Sequence, residues 1–130
     1  MNNPLKAATA IAVVALTALA VTTGTAKAWT GNDFRSPSGN IRCHYNMYTG
    51  AVACGTMNDG FTVALSVYGG KPHQINDYTV YRFGGGPVLP YNTFWTARWV
   101  RCDSSFSGIT CRATQTGHGF FLNRTSWNSW

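Results

Sequence analysis

The stretch CDSSFSGITCRATQTGHGFFLNR, Cys102 to Arg124, decides how the chain is read. It opens on two cysteines flanking Ser105-Phe-Ser-Gly108, passes through a Gly117-His-Gly119 turn and ends in an apolar run. Taken as a four-residue loop, Ser105 to Gly108 sets Ser104 opposite Ile109, Asp103 opposite Thr110 and Cys102 opposite Cys111. A cysteine pair directly across a hairpin has the Cα separation of about 4.5–5.5 Å that a disulfide tolerates.

A looser copy lies upstream. Met47-Tyr-Thr-Gly50 has the same aromatic-hydroxyl-Gly form, and pairing outward from it brings Cys43 opposite Cys54. The final glycine of each loop supplies the positive φ that such hairpins use. Of the three connectivities open to four cysteines, the spacing favours Cys43–Cys54 with Cys102–Cys111. The shared design hints at an internal duplication.

Around these hairpins the chain reads as strands and turns. Ile41–Asn46 and Ala51–Thr56 are β-prone, and Asn58-Asp59-Gly60 is a turn signal. In the next strand, 61–68, Phe61, Val63, Leu65 and Val67 alternate with smaller residues. The segment 71–77 reads as a surface loop, and 78–83 as a fourth strand with Tyr78 and Val80 on one face. The Gly and Pro of 84–91 forbid a helix interior or a central strand. Residues 93–102, rich in aromatic and β-branched side chains, read as one strand, followed by 109–113 and 120–123. Residues 29–33 read as a loose lead-in and 34–40 as a turn cluster around Pro37 and Gly39. No window carries a helical period with start and stop signals. The expectation is an all-β domain, a small barrel or sandwich of about seven short antiparallel strands with two hairpin disulfides.

The amino-terminal segment has a different character. Lys6 precedes an uncharged Ala/Val/Ile/Leu/Thr stretch from Ala7 to about Val21, and Ala26-Lys27-Ala28 has the small-x-small form cut by a signal peptidase. Residues 1–28 are therefore expected to be a secretory signal peptide and 29–130 a single exported β domain. The apolar part is shorter than the ~20 residues of a bilayer span, which argues against a retained anchor. A domain of this size buries a limited core, and an even cysteine count in an oxidising compartment fits disulfide staples. Neither pair has the short spacing of a structural zinc site, and no metal or cofactor is expected.

The formal net charge is +6, with no glutamate and only Asp33, Asp59, Asp77 and Asp103 as acids. Outside a cell that balance permits attraction to anionic envelope polymers, or serves solubility alone. No basic run suggests a nucleic-acid footprint.

Three stretches resemble a family of small exported actinobacterial proteins designated as a domain of unknown function. They are Phe34-Arg-Ser-Pro-Ser-Gly-Asn-Ile-Arg-Cys43, Gly86-Pro-Val-Leu-Pro-Tyr91, and Cys111-Arg-Ala-Thr-Gln-Thr-Gly-His-Gly-Phe120 with Asn123-Arg124 just after. The resemblance implies export and a paired-cysteine β domain, and it carries no catalytic residues. The segment 57–84 and the Ser126-Trp-Asn-Ser-Trp130 end depart from it.

Chemistry is thinly marked. His118 between two glycines is the one catalytic candidate, yet a base needs an orienting carboxylate and the sequence names none beside it. Ser36, Ser38, His44 and Asp59 permit a Ser-His-Asp set on paper without any supporting motif. Four scattered aspartates do not suggest a glycosidase pair, and His44, His73 and His118 share no metal spacing. Binding has more to work with: all eighteen aromatic residues lie beyond residue 28. Trp127 and Trp130 near the chain end, with Arg124 before them, either pack on the sheet or face a ligand. Asn123-Arg-Thr125 also forms an N-glycosylation sequon, which the bacterial source implied by the resemblance would leave without meaning. The expected function is an exported, non-catalytic binding or interaction protein whose partner is an envelope polymer, a glycan or another secreted protein. A small secreted hydrolase using His118 is the alternative.

Overall fold

The computed structural model describes residues 28–58, 60–76 and 85–130. The signal-peptide reading, apart from Ala28, and the strand expected at 78–83 lie outside the described residues. All regular structure among the described residues is β. None of it is a helix long and apolar enough to cross a membrane.

Among the described residues, eleven short strands form two sheets that face each other as a sandwich and do not close into a barrel. The first sheet is a meander of β2 (Asp33–Arg35), β3 (Ile41–Asn46), β4 (Ala51–Thr56), β5 (Thr62–Ser66) and β6 (His73–Ile75). The second runs through β7 (Phe94–Ala97), β8 (Val100–Ser105), β9 (Gly108–Ala113), β10 (Gly119–Leu122) and β11 (Trp127–Ser129). A two-residue strand β1 (Ala28–Trp29) joins its β7 edge in parallel, the one departure from antiparallel pairing between named strands. Alternation along the strands turns Ile41, Cys43 and Tyr45 of β3, and Val100, Cys102 and Ser104 of β8, into the space between the sheets.

Both disulfides form as the loop counting predicts, Cys43–Cys54 and Cys102–Cys111, with Cα separations of 4.1 and 4.0 Å. In the first hairpin Asn46 pairs with Ala51 around a four-residue loop whose Gly50 has φ 67°. In the second the ladder continues one pair further, Ser105 with Gly108, so the loop is only Phe106-Ser107.

The two meanders repeat each other position by position. Phe34 lies opposite Cys43, and Val63 opposite Cys54; correspondingly Trp95 lies opposite Cys102, and Phe120 opposite Cys111. Equivalent residues meet across the core. The Cys54 and Cys111 sulfurs are 4.0 Å apart, and the Phe34 and Trp95 rings have centroids 5.1 Å apart. The halves therefore face each other about an approximate two-fold axis at the centre of a fully buried four-sulfur stack. Even the leading segments are exchanged. β1, which precedes the first meander, pairs in parallel with β7, while Val88, which precedes the second, bridges in parallel to Arg35 of β2. Val52, Leu65, Ile109 and Leu122 complete the buried interior.

Three expectations are corrected. The described residues alone form eleven strands instead of the about seven expected for the domain, because two- and three-residue edge strands carry too little pattern to register alone. Residues 71–77, read as a loop, contain β6, which pairs with β5 from Thr62 to Ala64. The strand expected over 93–102 is a hairpin, with Arg98-Trp99 forming its tip between Ala97 and Val100. Trp99 takes φ 60°, a conformation that costs a side chain energy. Its ring is held by the Arg98 guanidinium at 4.1 Å and by Tyr68 edge-on at 5.9 Å.

Candidate binding cleft

One end of the sandwich carries a cleft of about 490 Å³. Four separate segments build it, and each is held in place by its own hydrogen bonds.

The first is the β2–β3 turn. Pro37 pre-sets its conformation, the Gly39 amide donates to the Ser36 carbonyl at 2.8 Å, and Gly39 has φ 73°. The Ile41 amide donates to Ser36 Oγ at 3.1 Å, and the two hydroxyls of Ser36 and Ser38 are 3.2 Å apart. The second is the strap 87–93, which spans both sheets. Its Leu89 amide donates to the Arg35 carbonyl, while the Asn92 amide donates to the Ser104 carbonyl of the facing sheet, each at 2.8 Å. Leu89 is buried, which anchors the strap and leaves Tyr91 on the rim.

The third segment is the β8–β9 tip. Ser105 Oγ donates to the Gly108 carbonyl at 3.1 Å and accepts from Ser107 Oγ at 2.9 Å, so Phe106 projects with 89% of its surface exposed. Its ring meets Tyr91 edge-on, centroids 5.6 Å apart. Gly108 has no room for a side chain, because an added Cβ would lie 2.3 Å from the Leu122 carbonyl.

The fourth is the β10–β11 turn. Asn123 Oδ1 accepts from the amides of Thr125 and Ser126 at 3.0 and 2.8 Å and from both of their hydroxyls. That closed turn presents Arg124 to the cleft. Arg124 is exposed and makes no ion pair among the described residues. No acidic side chain among the described residues lines the cleft. The described lining is thus an aromatic pair, a set of hydroxyls and one cation, Arg124, without an ion-pair partner among the described residues.

Of the residues singled out in the sequence, Arg124 lies in the cleft together with Ser36 and Ser38. Trp127 and Trp130 are half-buried. Trp127 packs against the core, and Trp130 pairs through its main chain with Gly119, each amide donating to the other's oxygen at 3.1 Å. His118 is also tied to that end, its Nδ1 3.1 Å from the Trp130 main-chain oxygen. His44 is paired, Nδ1 to Oδ1 at 2.6 Å, with its cross-strand neighbour Asp33; Asp59 lies outside the described residues. His73 is exposed on β6. No three His, Cys, Asp or Glu among the described residues gather to hold a metal.

A second depression, of about 440 Å³, lies on the outer face of the β7–β11 sheet, lined by Arg101, Asp103, Thr110, Arg112 and Thr114. Here Arg101 is committed, bonded to both Asp103 oxygens and lying 3.9 Å over the Phe94 ring. The Asp103 hydrogen bonds, with its charge adding and slight burial opposing, raise the Arg101 pKa above the ordinary guanidinium value.

Tyr91 and Phe106 escape sequence reading because each reads as a loop residue. The available signal is an aromatic at a hairpin tip between two serines, where a core role is impossible. The chain matches no family model, no curated protein and no solved structure, so the functional reading rests on this lining.

Proposed function

We propose that the protein is an extracytoplasmic, non-catalytic binding module that seats a segment of anionic envelope glycan in this cleft. The observation that carries the reading is the lining itself: exposed Tyr91 and Phe106 rings, serine and threonine hydroxyls, and Arg124 with no acid beside it among the described residues. Sugar rings offer apolar C–H faces to aromatic side chains and hydroxyls to polar ones, while an unpaired guanidinium suits a carboxylate or phosphate. The volume falls within the range of small-ligand sites. Two disulfides in a small domain are compatible with an oxidising, extracytoplasmic setting. Ser36, Ser38, Tyr91, Asn123 and Arg124 come from all three stretches that resemble the exported actinobacterial family, which we extend to this chain as a proposal.

The hydrolase alternative has less support. Nδ1 of His118 is engaged by a main-chain oxygen instead of a carboxylate, and His118 does not line the cleft.

The test is retention of the domain on purified cell-wall polysaccharide. Phe106→Ala and Arg124→Gln should each weaken binding by about tenfold or more, a loss of ~1.4 kcal/mol, with unchanged melting temperature because both side chains are exposed. Undiminished binding by both variants would remove the cleft from consideration.

A further inference from the structure

The approximate two-fold axis exchanges the two ends of the sandwich. The β8–β9 tip that builds the cleft corresponds to the β3–β4 tip at the other end. Phe106 corresponds to Tyr48, and these are the two most exposed large hydrophobic side chains described, at 89% and 92%. The six exposed large hydrophobics among the described residues sit in segments at the ends: Tyr91, Phe106 and Met57 at the cleft end, and Met47, Tyr48 and Tyr68 at the other.

At that far end Tyr68, Trp99 and Arg98 are in contact, and Tyr48 projects from the neighbouring β3–β4 tip. The Tyr68 ring lies over Gly50, where an added Cβ would be 2.6 Å from it. Tyr68 meets Trp99 edge-on at 5.9 Å, and Arg98 lies 4.1 Å over the Trp99 ring. Arg98 makes no ion pair among the described residues. Exposed aromatics, beside a cation without an ion-pair partner among the described residues, repeat the chemistry of the cleft. Such a grouping of exposed apolar side chains on a small domain marks a contact surface.

We infer that this end is a second glycan-binding surface, with Tyr48 and Tyr68 as the stacking platform and Arg98 as the cation for an acidic substituent. The inference rests on the cleft reading and adds valency to it. The occupant is another segment of the same acidic polymer, since the corresponding turns offer the same groups. Six-residue strands separate the tips by about 20 Å, so one short oligosaccharide cannot fill both sites, and one domain tethers two polymer segments. Engaging both also multiplies affinity for a long chain without new contacts.

The test uses an acidic hexasaccharide of alternating uronic acid and hexosamine, and the corresponding long polymer. Calorimetry should give two hexasaccharides per wild-type chain, one for Phe106→Ala and one for the Tyr48→Ala/Tyr68→Ala pair. Light scattering with the long polymer should rise for wild type and stay flat for either variant. One hexasaccharide per wild-type chain, lost in Phe106→Ala and unaffected by the tyrosine pair, overturns the second site and leaves the cleft standing. Two sites that survive in the tyrosine variant also overturn it. No binding by wild type overturns both readings. Near-ultraviolet circular dichroism of the tyrosine variant checks that loss of binding is not loss of fold.

Discussion

Replacing Cys102 and Cys111 together by alanine tests both the hairpin design and the central sulfur stack. Closing a loop of nine-residue separation is worth about 2.7 kcal/mol in the chain-entropy treatment, and the eleven-residue separation of Cys43–Cys54 about 2.8 kcal/mol. Each sulfur removed from the interior resembles a lost methylene, adding roughly 1.5 kcal/mol for the pair. The expected loss is therefore about 4 kcal/mol, or a fall on the order of 15–30 °C in melting temperature for a ~100-residue domain. The assay is urea unfolding followed by tryptophan fluorescence. Because most of the effect acts on the unfolded chain, the denaturant slope should rise as the midpoint falls. The matching Cys43/Cys54 variant should lose a similar amount. Removing all four should cost less than the sum by roughly 0.5–1 kcal/mol, since the Cys54–Cys111 contact at 4.0 Å is lost only once. A loss below about 1.5 kcal/mol in either pair, with an unchanged slope, would refute the reasoning.

Three further outcomes are expected. Gly119→Ala should destabilise by roughly 2 kcal/mol or more, because its Cβ would lie 2.6 Å from both the Cys111 carbonyl and the Trp130 ring; a thermal melt within a degree of wild type contradicts this. Truncation after Ser126 removes β11 and the packing of Trp127 and Trp130, and should lower the melting temperature by more than about 10 °C, equivalent to ~2 kcal/mol. His118→Ala removes a single part-buried bond and should cost only about 1 kcal/mol in chemical denaturation, with polysaccharide retention unchanged.

The parts of the fold legible in the sequence are those whose information is local. Loop counting places both disulfides and their registers because a hairpin's pairing follows from its turn. Gly50 at φ 67° is the residue type its conformation demands. The Arg98-Trp99 tip is invisible for the opposite reason: no Gly, Asn or Pro marks it, and the strained Trp99 is held by Tyr68, distant in sequence. Strand β1 exists through a partner distant in the chain, and β2 and β11, though paired with their neighbours in sequence, are too short to carry a pattern of their own. The cleft divides the same way. Arg124 stands out as a cation beside an apolar run, whereas Tyr91 and Phe106 acquire meaning only when the strap and the tip are brought together. The Gly-His-Gly turn looks catalytic in sequence, but Gly119 is needed for the close approach of Trp130 and Gly117 for its φ of 76°.

The sulfur stack makes the order of events during maturation matter. Each bridge closes within its own hairpin, so each can form as soon as that hairpin has emerged, before the sheets meet. No disulfide then joins one sheet to the other. If the sheets close first, Cys54 and Cys111 face each other as thiols in a space that oxidants reach poorly. A bond between them would clamp the sheets together and leave Cys43 and Cys102 without partners. Early oxidation is thus the productive route, and a chain that folds before it oxidises has a wrong bridge within reach.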